Sequence, residues 1–151
     1  MKRIMFLLLM FFAFVNVSYA EDGVVIRDAW VREVPPGASV SAAYMTIENK
    51  GGQVDKLTAI SSDAAENVEI HMSNVDENGV AKMERIKILE LSAGESLELK
   101  PGGMHVMLIG LKESLVGREY VTINFNFDKS GDIKIKVPVK SVKSSGEHHH
   151  H

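Results

Sequence analysis

The sequence has 151 residues, of which 17 are Lys or Arg and 20 are Asp or Glu, and it contains no cysteine. A chain of this length forms one domain that can bury a core of its own. The lack of thiols excludes a cysteine nucleophile, a thiol redox pair, a Cys-based zinc site and a blue-copper centre. Without the first twenty residues the formal charge is −5 and no basic run remains, so nucleic acid is not an expected partner.

Residues 1–20 have the pattern of a secretory signal peptide. Lys2 and Arg3 precede an apolar stretch over residues 4–15, and residues 18–20 supply the small residues of a cleavage site. The apolar stretch is shorter than the about 20 residues that span a membrane, and no cysteine follows it to carry a lipid. We therefore expect a mature protein that is exported to a bacterial periplasm, without a stable membrane anchor.

Short runs that favour β-strands fill residues 21–140, which we expect to form one domain. Residues 120–127 and 133–139 alternate strictly between apolar and polar side chains, the pattern of a strand with one face in the core. No window of comparable length has a helical period. The pattern predicts an all-β fold, an antiparallel Greek-key β-barrel or sandwich. The predicted strands are 24–31, 41–49, 54–61, 67–74, 83–91, 96–100, 104–108, 120–127 and 133–139.

Histidine and methionine residues make the one pattern in the domain that suggests chemistry. Apart from the terminal histidines, the only histidines are His71 and His105, and Met107 shares a strand face with His105. Uncharged imidazole and thioether donors suit a soft metal ion. Methionine is also common in protein cores, so the residues alone leave core packing and metal binding open.

The spacing of these residues resembles the signature of the periplasmic copper chaperones of the PCu(A)C family. That signature matches His71-Met72, ten residues, Met83, twenty-one residues, and then His105-Val106-Met107. Residues 35–39, 42–47 and 101–108 also look like that family.

The resemblance implies a cupredoxin-like β-barrel that binds one Cu(I) through four ligands, which here are His71, Met83, His105 and Met107. It further implies delivery of copper to the copper A centre of cytochrome c oxidase. The expected partner is then a copper-accepting protein, either oxidase subunit II or an assembly factor. We expect a monomer.

An enzyme is the least favoured class, because the chain has no nucleophile elbow, phosphate-binding glycine loop or H-E-x-x-H pair. Two alternatives to delivery remain at this stage. One is a copper sequestration or resistance protein, and the other is an exported β-sandwich that binds a protein partner without metal.

Strand parity sorts the sulfur donors. On residues 67–74, His71 shares the polar face with Glu69, whereas Met72 shares the apolar face and is expected in the core. A two-residue turn at Asn78-Gly79 would place Met83 on the face opposite His71. Shared coordination therefore requires a bulge, an odd-length loop or a flexible arm between residues 75 and 83.

The last residues, 141–151, are expected to be a disordered His-rich tail or a purification tag. The tail ends in four consecutive histidines. A second metal site that prefers Cu(II) is expected there, because imidazole accepts that ion well.

Overall fold

The computed structural model describes residues 23–142, which form ten strands and no helix. Within this range no helix is therefore available to cross a membrane. The predicted signal peptide, and all but the first two residues of the predicted tail, lie outside the described residues. The strands are β1 (Val24–Arg32), β2 (Val40–Asn49), β3 (Asp55–Ser62), β4 (Ala65–Val75), β5 (Ala81–Ile86), β6 (Leu89–Leu91), β7 (Ser96–Leu99), β8 (Met104–Leu111), β9 (Tyr120–Phe127) and β10 (Gly131–Lys140).

The ten strands belong to one continuous sheet in the order β5-β4-β8-β2-β1-β10-β9-β3-β6, and β7 also pairs with β2. β2 is the organising strand. It pairs with β1 along one edge, while its other edge pairs first with β8 and then with β7. The predicted all-β, antiparallel fold is confirmed, with one parallel pair, β1 with β10, that the sequence pattern did not indicate.

Where apolar and polar residues alternate strictly, the core lies on one face of the strand. Along β9, Val121, Ile123, Phe125 and Phe127 are buried and the residues between them are not. β2 and β8 add buried residues from the other part of the sheet. Each fully buried side chain of this size stabilises the fold by about 1.5–3 kcal/mol relative to an exposed one. The opposite face of each strand is thereby left for polar residues.

The predicted strand over residues 83–91 is wrong in one respect, because the run breaks into β5 and β6. β5 pairs with β4, whereas β6 pairs with β3 at the far end of the sheet order. The break falls at Lys87 and Ile88, both of which are exposed. The chain changes its pairing partner here from β4 to β3. The β-strand propensity of residues 83–91 does not indicate which strand they pair with.

β8 ends at a bulge that requires a glycine. The amides of Gly110 and Leu111 both donate to the carbonyl of Ser39, so two residues of β8 oppose one. Gly110 has φ +70°, and a Cβ atom there would lie 2.9 Å from Oε2 of Glu66. A side chain at this position would meet both backbone strain and a close contact.

A buried carboxylate joins β3 to the β9–β10 turn. Asp55, 3% exposed, accepts hydrogen bonds from the amides of Lys56, Lys129 and Ser130 and from the Ser130 hydroxyl. Burial alone would raise the pKa of Asp55, but these hydrogen bonds to the charged form outweigh it, so the pKa is lowered.

We expect Asp55→Asn to lower the free energy of unfolding by about 1–3 kcal/mol at neutral pH, because the amide replaces an acceptor that several buried donors share. A lowered pKa means that the carboxylate stabilises the fold above the ordinary aspartate value of 3.8. That stabilisation is lost as the pH falls through the folded-state pKa. Denaturant unfolding of both chains between pH 7 and pH 3 measures the difference.

The control is Asp128→Asn, which removes an exposed carboxylate from the same turn and should change stability little. Equal stability of the Asp55→Asn and Asp128→Asn chains would contradict the role given to Asp55.

Candidate metal centre

The pairing of β4 with β8 brings the two histidines together. His71 lies directly opposite His105, and their ring centroids are 6.2 Å apart with the planes tilted by 42°. In the same ladder Glu69 lies opposite Met107. Since every second residue of a strand shares a face, His71, His105 and Met107 lie on one face of the sheet. The other face carries Ile70, Val106 and Leu108 into the core.

Each imidazole has one nitrogen engaged and one free for another partner. Nδ1 of His105 donates to the carbonyl of Gly103 at 2.9 Å, which leaves the lone pair on Nε2. Nε2 of His71 donates to Oε2 of Glu69 at 2.8 Å. The lone pair of His71 is then on Nδ1, which is buried and has no hydrogen-bond partner. A buried polar atom without a partner is rare in folded proteins and invites a ligand.

The two rings are also well shielded from solvent. His105 is 7% exposed and the His71 side chain is 16% exposed. Met107, next to them on β8, is partly buried and lies opposite Ala42 of β2. The face thus combines two imidazoles and a thioether that are each at least partly shielded from solvent.

Met83 lies on the same face as His71, because the β4–β5 connection is an odd-length loop. Val75 pairs with Ala81 and Ser73 pairs with Met83, so five residues, 76–80, join the strands. This confirms the irregularity that sequence parity required. With a two-residue turn, Met83 would face the other way.

Asp76 organises this loop. Its backbone amide and carbonyl bond to Val80 and Gly79, and its Oδ1 accepts from the amides of Asn78 and Val80. The hydrogen bond from the Val80 amide, followed by that from Lys82, lowers the pKa of Asp76. Gly79 supplies the left-handed conformation, φ +78°, that closes the turn.

The four predicted ligands are not equally close. His71 has His105 directly across from it, and Met107 and Met83 are its diagonal neighbours on opposite sides. On a regular sheet the Cα atoms of Met83 and Met107 would be roughly 16 Å apart, from strand spacings of about 4.8 Å and rises of about 3.3 Å per residue. Met83 is 56% exposed on the outermost strand. The register therefore brings His71, His105 and Met107 together and leaves Met83 at the rim.

The remaining methionines of the domain lie elsewhere. Met45 is 2% exposed in the core, and Met104 packs against the core from the start of β8. Met72 lies opposite Met104, on the face of Ile70, but it is only partly buried, so the expectation that it lies in the core is wrong. Within residues 23–142 there is no cluster of three or more His, Asp and Glu side chains placed to hold a metal. The candidate centre is the face on which His71, His105 and Met107 lie.

Sequence reasoning gave no role to two groups that border this face. Glu69 contacts His71 and, through Oε1, Nη1 of Arg85 at 3.0 Å. The two-residue spacing from His71 was the available signal for Glu69. On the other side, the Trp30 and Tyr44 rings pack together with centroids 4.7 Å apart and planes tilted by 42°. Tyr44 shares a face of β2 with Ala42, and no spacing rule in the sequence relates it to the histidines.

The sequence of this chain is similar to one described protein family and to two bacterial proteins. Residues 24–139 match the family described as "Putative lipoprotein LpqE-like". The chain is 31% identical over 129 residues to "Putative lipoprotein Lxx21020" of Leifsonia xyli subsp. xyli, covering 85% of this chain and 76% of that protein. It is 32% identical over 124 residues to "Uncharacterized protein RP573" of Rickettsia prowazekii, covering 80% and 68% respectively.

Solved structures share the fold. The copper-bound PCuAC domain from PmoF2 superposes with a TM-score of 0.67 at 22% identity, over 82% of this chain and 97% of that domain. The solution structure of CuI-DR1885 from Deinococcus radiodurans superposes with a TM-score of 0.63 at 31% identity, over 83% of each chain. The chain therefore belongs to the LpqE-like family, and it shares the fold of the solved PCuAC domain.

Proposed function

We propose that this protein is an exported Cu(I) carrier that binds one ion through His71, His105 and Met107, with Met83 joining as the fourth ligand when its exposed edge strand moves towards them. The observation that carries the proposal is the facing pair of histidines, each with one nitrogen lone pair unused and one of those nitrogens buried. A metal about 2.0 Å from a nitrogen of each ring fits between centroids that are 6.2 Å apart.

The donor set selects the ion. Thioether is a soft ligand and imidazole a borderline one, and both are uncharged, so together they favour Cu(I) over hard cations such as Mg²⁺ or Ca²⁺. A thiolate would bind more tightly, but it is prone to oxidation in an exported compartment. Thioethers need no deprotonation and form no disulfides. A ligand set of imidazoles and thioethers therefore suits a Cu(I) ion that is transferred to a partner protein.

The accessibility of the site favours transfer rather than catalysis. Met83 is exposed at the rim, so a partner can approach the ion from that side. We propose that the recipient is the copper A centre of cytochrome c oxidase, reached through subunit II or an assembly factor. We propose the periplasm as the location of this protein, and the lipoprotein names of the relatives support export.

The first test is Cu(I) titration, against a competing chelator, of a chain ending at residue 146, so that the terminal histidines do not contribute. We expect one equivalent to bind tightly. His71→Ala and His105→Ala should each weaken binding by more than the 10–100-fold typical of losing an outer-shell partner, because each removes a direct donor.

Met72→Leu and Met104→Leu are the matched controls, since they remove sulfur from the opposite face, and both should bind as the parent does. If the histidine variants lost stability but kept copper, the interaction module without metal would be the better assignment.

Met107→Ile and Met83→Ile test the sulfur donors separately. X-ray absorption of the Cu(I)-loaded chain should show two sulfur ligands in the parent and one in either variant, because isoleucine keeps the bulk and removes the donor. We expect the smaller loss of affinity for Met83→Ile, because Met83 is the more distant and exposed residue. An unchanged sulfur count in that variant would reduce the site to three ligands.

Delivery and sequestration make opposite predictions in a deletion strain. If the protein delivers copper, oxidase activity should fall when copper is limiting and recover when copper is added, with unchanged copper tolerance. Normal oxidase activity together with copper sensitivity would assign sequestration instead. Re-expression of the His105→Ala chain is the control, and it should fail to restore the wild-type behaviour in either case.

A further inference from the structure

We propose that Glu69 is a positioning residue that makes His71 bind the metal through Nδ1, in contrast to His105, which binds through Nε2. This inference rests on the proposed function, since it concerns how one of the ligands is held. It assigns a role to Glu69 and Arg85, neither of which donates to the ion.

The geometry fixes the proton on one nitrogen of His71. A carboxylate accepts hydrogen bonds and cannot donate them, so the 2.8 Å contact of Glu69 Oε2 requires a proton on Nε2. A neutral ring then has its lone pair on Nδ1, the nitrogen that is buried and without a partner. Carboxylates that hold ligating histidines in this way set the tautomer and orient the ring.

Arg85 holds the carboxylate in turn. It lies opposite His71 in the β4–β5 ladder, and its Nη1 is 3.0 Å from the second oxygen of Glu69. The Glu69 side chain is 19% exposed, whereas that of Arg85 is 58% exposed. The order Arg85, Glu69, His71 therefore runs from solvent to the shielded ring. Each oxygen of Glu69 has its own partner, which limits rotation of the carboxylate.

The two histidines consequently differ in their support. The proton on Nδ1 of His105 is bound by the backbone carbonyl of Gly103, which no side-chain substitution removes. The position of the proton on Nε2 of His71, in contrast, is set by a single side chain, that of Glu69. Substitution of Glu69 should therefore affect His71 and leave His105 in its present tautomer.

The test is long-range ¹H–¹⁵N NMR on the mature chain with His148 to His151 replaced by Ser, first without copper at pH 8 and then with Cu(I). Without metal, His71 should be the Nε2–H tautomer. With Cu(I), its Nδ1 resonance should shift while Nε2 keeps its proton. In Glu69→Ala the metal-free ring should become a tautomer mixture, and Cu(I) affinity should fall about 10–100-fold.

Glu69→Gln tests positioning against charge. The glutamine oxygen can still accept from Nε2 of His71, so Nδ1 coordination should persist and the affinity should stay within a few-fold of the parent. Glu84→Ala is the matched control, because Glu84 is exposed on the same hairpin but lies opposite Met72, on the other face. It should change neither the tautomer nor the affinity.

The outcomes separate this inference from the proposed function. Cu(I) bound through Nε2 of His71, or a Glu69→Ala chain that keeps the parent tautomer and affinity, would overturn the positioning role while leaving the copper carrier intact. Failure of the parent chain to bind Cu(I) would overturn both.

Discussion

The register between β4 and β8 is the constraint on which the candidate centre depends. A slip of one residue would turn His71 towards the core and bring Ile70 to the outer face. That slip is opposed from within, because Ile70 and Val106 are paired and buried on the inner face. Apolar packing on the inner face thus determines that His71 and His105 lie on the outer face. The outer face is available for metal-binding side chains because the buried apolar side chains of the inner face stabilise the fold.

The same division explains the electrostatic character of the site. Each imidazole has one hydrogen-bond acceptor, a carboxylate oxygen of Glu69 for His71 and the backbone carbonyl of Gly103 for His105. What remains is a free lone pair on each neutral ring. The unpartnered Nδ1 of His71 carries a desolvation penalty of about 1–3 kcal/mol, which a bound ion would relieve. In the proposed carrier, the metal-free fold therefore leaves one buried nitrogen without a partner, and the copper-loaded fold would supply that partner.

Local pattern predicted the features that depend on one strand at a time. Alternation located β9 and β10, and parity separated Met72 from His71. It also showed that a regular hairpin could not bring Met83 to the correct face. Features that depend on pairing between distant segments were not predictable in this way. The contact of His71 with His105, the parallel β1–β10 pair and the break after β5 are decided by tertiary packing, to which single-strand propensity is blind.

β5 terminates the sheet, and its other edge has no strand beside it within the described chain. Besides Met83 and Ile86, β5 has four residues, all of them exposed and three of them charged. Charged side chains on an edge strand discourage association through that edge. Such a strand can fray at little energetic expense compared with the buried strands. In the proposed carrier the outermost sulfur would leave first, and the ion could be surrendered while the interior stays folded.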